Sequence, residues 1–187
     1  MNMYDYLFAI NCIAFLLSLI HVRMHHANKV MQMIINLLCV AGGAFGVIGA
    51  ILCFDRKAKK ENMMTRVLAS CMLVMQIVLI MLLKKQDASF NVSILSFFLN
   101  HRYFLYYIGM MNILTFLAFG LDKWKAKHAS RRIPIVTLLG LSALGGSIGG
   151  IVAMFAFRHK TRKDYFRIGL PIILITQVMI LLFIMNC

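Results

Sequence analysis

Two groups of residues in this chain have types and spacing that could do chemistry, and they flank one glycine-broken apolar run. Arg158, His159, Lys160, Arg162 and Lys163 form the densest basic cluster, while Asp122, Lys123 and Arg132 lie before the run. An Arg fork beside a Lys point charge is suited to phosphate or carboxylate. His159 would make such binding pH-sensitive. Asp122 would orient a cation, Lys123 or Arg132, at the mouth of a cavity. The plainer alternatives are an interfacial ion pair at Asp122 that fixes a helix end, and a basic cluster that marks topology against anionic headgroups.

The run between these groups carries Gly145, Gly146 and Gly149. Glycines in the middle of an apolar helix can break it, and the helix restarting after them would aim its amide donors at an anion. The same glycines, with Gly150, also fit a small-residue face on which a continuous span packs closely. Other chemistry finds less support. His21, His25 and His26 suggest a metal by their spacing, but no carboxylate or cysteine completes a site, and no metal is expected. The five cysteines show no CxxC pair and read as free thiols, and the fifteen methionines as packing residues. No Gly-x-Ser-x-Gly, Ser-Lys or nucleotide-loop pattern is present, so no catalytic residue and no cofactor is expected.

The elements that must position these residues are membrane helices. The chain is 61% hydrophobic with a mean hydropathy of +0.83, against the roughly 45–50% apolar content of soluble domains. Apolar runs recur at 6–20, 31–54, 67–83, 103–121, 133–157 and 168–185, and lipid admits only helices or closed barrels. The expectation is an all-α, polytopic integral membrane protein. The first run lacks a basic leader and cleavage pattern and reads as a retained span. A net charge of +14 would suggest nucleic acid in a soluble chain, but here the cations sit at the ends of apolar runs, which favours anionic lipid.

The runs divide into two related halves. Asn11 and Phe15 match Asn112 and Phe116; Gly42, Gly43 and Gly46 match Gly145, Gly146 and Gly149; Gln76 matches Gln177. The expected organisation is a degenerate N-terminal repeat at 1–85, a linker at 86–102 and a C-terminal membrane domain at 103–187. Each half would hold two spans and a Gly-broken, re-entrant helix. Cytoplasmic loops collect Lys and Arg, so the arrangements can be weighed by charge. Six crossings place ten basic residues on each side, whereas two re-entrant hairpins place 17 inside and 3 outside. The hairpin arrangement, with four true spans and both termini outside, obeys the rule.

From Asp122 onward, the pieces Asp122-Lys123, Arg132-Ile133-Pro134, Gly145-Gly146 with Gly149, and 157–163 with Phe166 resemble a bacterial membrane family known only as domain of unknown function 1294. The resemblance covers about residues 106–184, with the N-terminal half as a degenerate second copy placing His21 near the position of Asp122. It departs at Ile135, where the family has an acidic residue. It implies architecture, not activity.

The function expected from all this is a small transporter or channel-like protein of the bacterial cytoplasmic membrane, handling an anionic solute or lipid. Its partners would be a bilayer with anionic headgroups and an anionic solute, with nucleic acid disfavoured and an oligomer compatible with the sequence. The competing classes are a non-transporting module that recruits a cytoplasmic or nucleic-acid partner through its basic loops, and a lipid-headgroup enzyme using His159 or Asp122.

Overall fold

A computed structural model describes residues 3–23, 29–54, 62–84, 94–128, 131–158 and 160–186. Among these residues there is no strand, and the protein is an all-α polytopic membrane protein. Six segments are long and apolar enough to cross a bilayer. The chain forms two compact units, 1–84 and 85–187, and the contacts within each explain its shape.

In the first unit, α1 (Met3–Arg23) is followed by α2 (Lys29–Leu38), a glycine turn (Cys39–Gly43), α3 (Ala44–Phe54) and α4 (Met63–Lys84). In the second, α5 (Ile94–Asn100) precedes α6 (Arg102–Lys127), α7 (Ile135–Leu141), a glycine turn (Ser142–Gly146), α8 (Ser147–Ala156), the short α9 (Asp164–Arg167) and α10 (Gly169–Met185). The region expected as a linker thus contains a helix, α5, whose Phe97 and Phe98 pack on Phe104 of α6.

The two glycine-broken segments fold back on themselves. In the second unit the start of α7 lies at Asp122, its end lies at Tyr107, and the chain returns along α8 until Phe157 meets Phe116. α8 therefore runs parallel to α6, and α7 runs against it. A straight helix would separate Ser142 from Gly150 by about 12 Å of rise, yet a β-carbon at Gly150 would lie 3.0 Å from the Ser142 hydroxyl. In the first unit the hydroxyl of Tyr6 reaches Ala41, Asn11 reaches Gly46, and Phe15 faces Gly49, the same parallel register of α1 and α3. Each unit is a helical hairpin held against its first long helix and closed by its last.

One residue makes each reversal. Gly42 and Gly145 adopt φ 121° and 124°, a region that L side chains rarely enter. The return arm then passes so close to the neighbouring helix that a β-carbon at Gly149 would collide with the carbonyl of Asn112, and one at Gly46 with that of Asn11. The span from Tyr107 to Asp122 is fifteen residues, so the tip lies about 22 Å from the mouth, less than the ~30 Å hydrocarbon core. Basic residues from both flanks of the hairpin, Lys123 and Arg132 on one side and Arg158 and Lys160 on the other, consequently lie at the same end, the C-terminal end of α6.

Candidate functional site

At membrane depth a broken helix leaves carbonyls at the end of one arm and amides at the start of the other, and lipid offers no partner for either. The second unit supplies such partners to four successive carbonyls at the end of its entering arm. Nε2 of Gln177 on α10 donates to the carbonyls of Ser142 and Ala143 at 2.6 and 3.0 Å. The Tyr107 hydroxyl donates to Leu144 at 2.8 Å, and Nδ2 of Asn112 to Gly145 at 3.0 Å. The other end of the same carboxamide, Oδ1, accepts from the Gly149 amide at 2.7 Å. Asn112 thus staples the two arms together across the turn. Ser147, fully buried, donates its hydroxyl to Oε1 of Gln177.

The first unit carries the same bonds on corresponding residues. Gln76 donates to Cys39, Tyr6 to Ala41 and Asn11 to Gly42, while Asn11 accepts from Gly46. The units differ in polarity: where the second has Thr115, Ser142 and Ser147 buried, the first has Ala14, Cys39 and Ala44. The hydroxyls of Thr115 and Ser142 donate locally to Met111 and Leu138, one turn back.

At the glycines, where the sequence suggested an anion site, the Gly149 amide is bonded to Asn112. Gly145 and Gly146 shape the turn, and Gly146 is buried against Thr115. None of the three has a side chain to offer a ligand. What the glycines provide is approach.

The mouth of the hairpin is different. Asp122 is wholly buried at the end of α6. Its Oδ1 accepts from the Ile133 amide at 3.0 Å, and its Oδ2 pairs with Lys160 at 2.7 Å. One carboxylate thereby holds the entry and the exit of the hairpin. Its cation is Lys160, from the far side of the run, where the sequence suggested Lys123 or Arg132. Lys123 instead donates to the Phe157 carbonyl at 2.6 Å, capping the C-terminal end of α8, and its ammonium lies 5.8 Å from the Phe157 ring. Lys160 also stands 4.9 Å over the ring of buried Phe166, which packs edge-on against Phe119.

Arg158 and Lys160 adopt φ 46° and 63°, left-handed values that cost a non-glycine residue about 1–2 kcal/mol each. Arg132, Arg158 and Lys163 remain exposed around the same mouth, while Lys160 is largely withdrawn. The mouth is therefore a basic rim around a neutralised centre. His159 lies outside the described residues, as do His25 and His26, and no group of metal-binding side chains occurs among the described ones. His21 is buried, and its Nδ1 has no hydrogen-bond partner. Cys12, Cys39, Cys53 and Cys71 carry thiols that are not joined in disulfides, and Cys187 lies outside the described residues. Trp124 stacks on His128 and is half exposed, as a headgroup-level side chain would be.

Sequence reasoning found Asn112 and Gln177 as matched positions without giving them work. Their role follows from counting the orphan groups of a helix broken in lipid, and that count could have been made from the sequence. Tyr107 serves the same purpose.

A family model described as "Protein of unknown function (DUF1294)" matches residues 112–166. That stretch begins at the stapling asparagine and ends at the phenylalanine beneath Lys160. The chain is also similar to the uncharacterized protein YsdA of Bacillus subtilis (strain 168), at 31% identity over 75 residues. Those residues cover 40% of this chain and 84% of YsdA. No solved structure matches.

Proposed function

The chain belongs to the DUF1294 family of proteins of unknown function, and from that premise we propose that it is a small multi-pass protein of the bacterial cytoplasmic membrane that handles an anionic solute or lipid headgroup at the mouth of its second hairpin. The observation carrying this reading is the arrangement around Asp122. A buried carboxylate draws in Lys160, holds the following loop in a strained left-handed form and leaves Arg132, Arg158 and Lys163 facing outward. Strain of this kind persists where the surroundings impose it, and an Arg-rich rim binds anionic oxygens in forked geometry. In the second unit α6 and α10 cross the bilayer, and the hairpin enters from the cytoplasmic side, where its basic ends are retained. The common bonding of Asn11 and Asn112, Tyr6 and Tyr107, and Gln76 and Gln177 supports an internal duplication with a plainer first copy.

A second reading draws on the sealed tip. A transporter's broken helix usually offers free carbonyls or amides to its ion, whereas here they are bonded within the chain. That favours a module that holds anionic headgroups or a cytoplasmic partner without conducting. One experiment separates the two. Proteoliposomes of the full chain are loaded with phosphate, and efflux is followed beside wild-type and Arg132→Ala/Arg158→Ala protein. Efflux above empty vesicles that falls in the variant supports handling of a solute. Headgroup binding lost in the variant, with no efflux from either, supports the module. Neither flux nor anion binding by the wild type would sink the proposal.

A further inference from the structure

A cavity of about 290 Å³ opens at the tip end of the second unit, between the start of α6, the glycine turn and the C-terminal half of α10. Phe104, Leu144, Ile148, Leu174 and Leu181 are among its walls, and Ser147 and Gln177 form its polar floor. Those two polar groups are already bonded to each other and to the carbonyls of Ser142 and Ala143. A water or a charged solute would gain little there, because a buried water needs two to four polar partners. An aliphatic chain would gain contacts along every wall. At about 30 Å³ per water-sized group, the space takes roughly ten methylenes, about half of one lipid tail.

A charge lies at the same end of the unit, at the start of α6, outside the residues that line the cavity. Among the described Arg and Lys residues of this unit, Arg102 alone lies at the tip end, the others being gathered at the mouth. Arg102 is exposed and opens α6 two residues before Phe104, where the positive end of a 26-residue helix adds to its field. We infer that the cavity is a lipid site, holding part of one acyl chain of an anionic phospholipid whose phosphate is drawn to Arg102. The inference does not depend on the reading of the mouth, which lies at the other end of α6.

The test uses the full chain in phosphatidylcholine nanodiscs containing a trace of phosphatidylglycerol with a photoactivatable diazirine in its acyl chain, and a matched phosphatidylcholine probe. After irradiation the adducts are mapped to peptides. Phosphatidylglycerol adducts should concentrate on peptides bearing Leu144, Ile148 and Leu181, about tenfold (near 1.4 kcal/mol) over those bearing the exposed Phe8 and Leu16. Ala143→Trp, at an exposed position on the cavity wall, should remove the excess, and Arg102→Ala should bring the phosphatidylglycerol yield down to that of phosphatidylcholine. Ile148→Phe replaces Ala143→Trp if the latter does not elute as a folded protein. Even labelling over all lipid-facing peptides, an excess that survives both filling variants, or equal yields from the two probes with wild type would each overturn the assignment.

Discussion

Replacing Asn112 by leucine keeps the number and branching of the side-chain atoms and removes both ends of the staple. The Gly149 amide and the Gly145 carbonyl then lose bonds of 2.7 and 3.0 Å at half-buried positions where lipid offers no replacement partner. A net hydrogen bond contributes roughly 0.5–1.5 kcal/mol, and a stranded buried group costs about 1–3 kcal/mol. Interhelical bonds measured in membranes average nearer 0.6 kcal/mol, which sets the floor. Two bonds lost with two groups stranded give a destabilisation of about 2–4 kcal/mol, with about 1 kcal/mol as the least the geometry allows. Reversible unfolding in mixed micelles by dodecyl sulfate titration, followed by far-ultraviolet circular dichroism, reads this directly. Leu117→Ala is the control, since Leu117 lies on the same helix with half its surface exposed and should change little. A stability for Asn112→Leu within about 0.5 kcal/mol of wild type, the range of an ordinary surface substitution, would show that the carboxamide does not hold the arms together.

Other substitutions probe the remaining parts. Gly145→Ala forces a side chain into φ 124° and should cost roughly 1–3 kcal/mol in the same titration, whereas Gly140→Ala, where a β-carbon meets nothing, should be neutral or stabilising. Asp122→Leu leaves Lys160 without its carboxylate and should destabilise by about 3–5 kcal/mol, and Asp122→Leu/Lys160→Met should recover most of that; a double variant no better than the single one would refute the pairing. Single cysteines at Lys127 and Thr161, in a chain otherwise free of cysteine, should both be shielded from an impermeant reagent in intact cells and react after lysis, while Tyr103→Cys should be labelled from outside. Labelling Thr161→Cys alone from outside would make the glycine-broken segment a full crossing. Arg158→Ala should reduce anion handling more than Arg56→Ala, and equal losses would mean that total charge is all that counts.

Much of this architecture is legible in the sequence because lipid imposes simple rules. Runs of about 20 apolar residues announce helices, and paired glycines inside such a run announce a break. The distribution of Lys and Arg favours re-entry because a hairpin gathers both basic stretches of a unit at one end, and the contacts at Asp122 do gather them. The partner of Asp122 was not legible. Lys123 and Arg132 are nearer in sequence, but Lys123 leaves the carboxylate for the Phe157 carbonyl, and only the return of the chain along α8 brings Lys160 into reach. Nor did apolar periodicity mark Tyr107, Asn112 and Gln177 as a set. They lie on two helices and converge only once the turn has placed four carbonyls between them.

The division of labour at the tip fixes an order of assembly. Tyr107 and Asn112 precede the turn in the chain and are waiting when it forms, but Gln177 comes 34 residues after Ala143. At synthesis rates of about 5–20 residues per second, the carbonyls of Ser142 and Ala143 stay open for roughly 2–7 s. Through that interval the hairpin is held by its forward contacts alone, and the last helix to emerge locks an element made before it. A chain ended at Lys163 should therefore hold its glycine turn less firmly than one carried through α10, read as faster amide hydrogen exchange at Gly149 in detergent micelles.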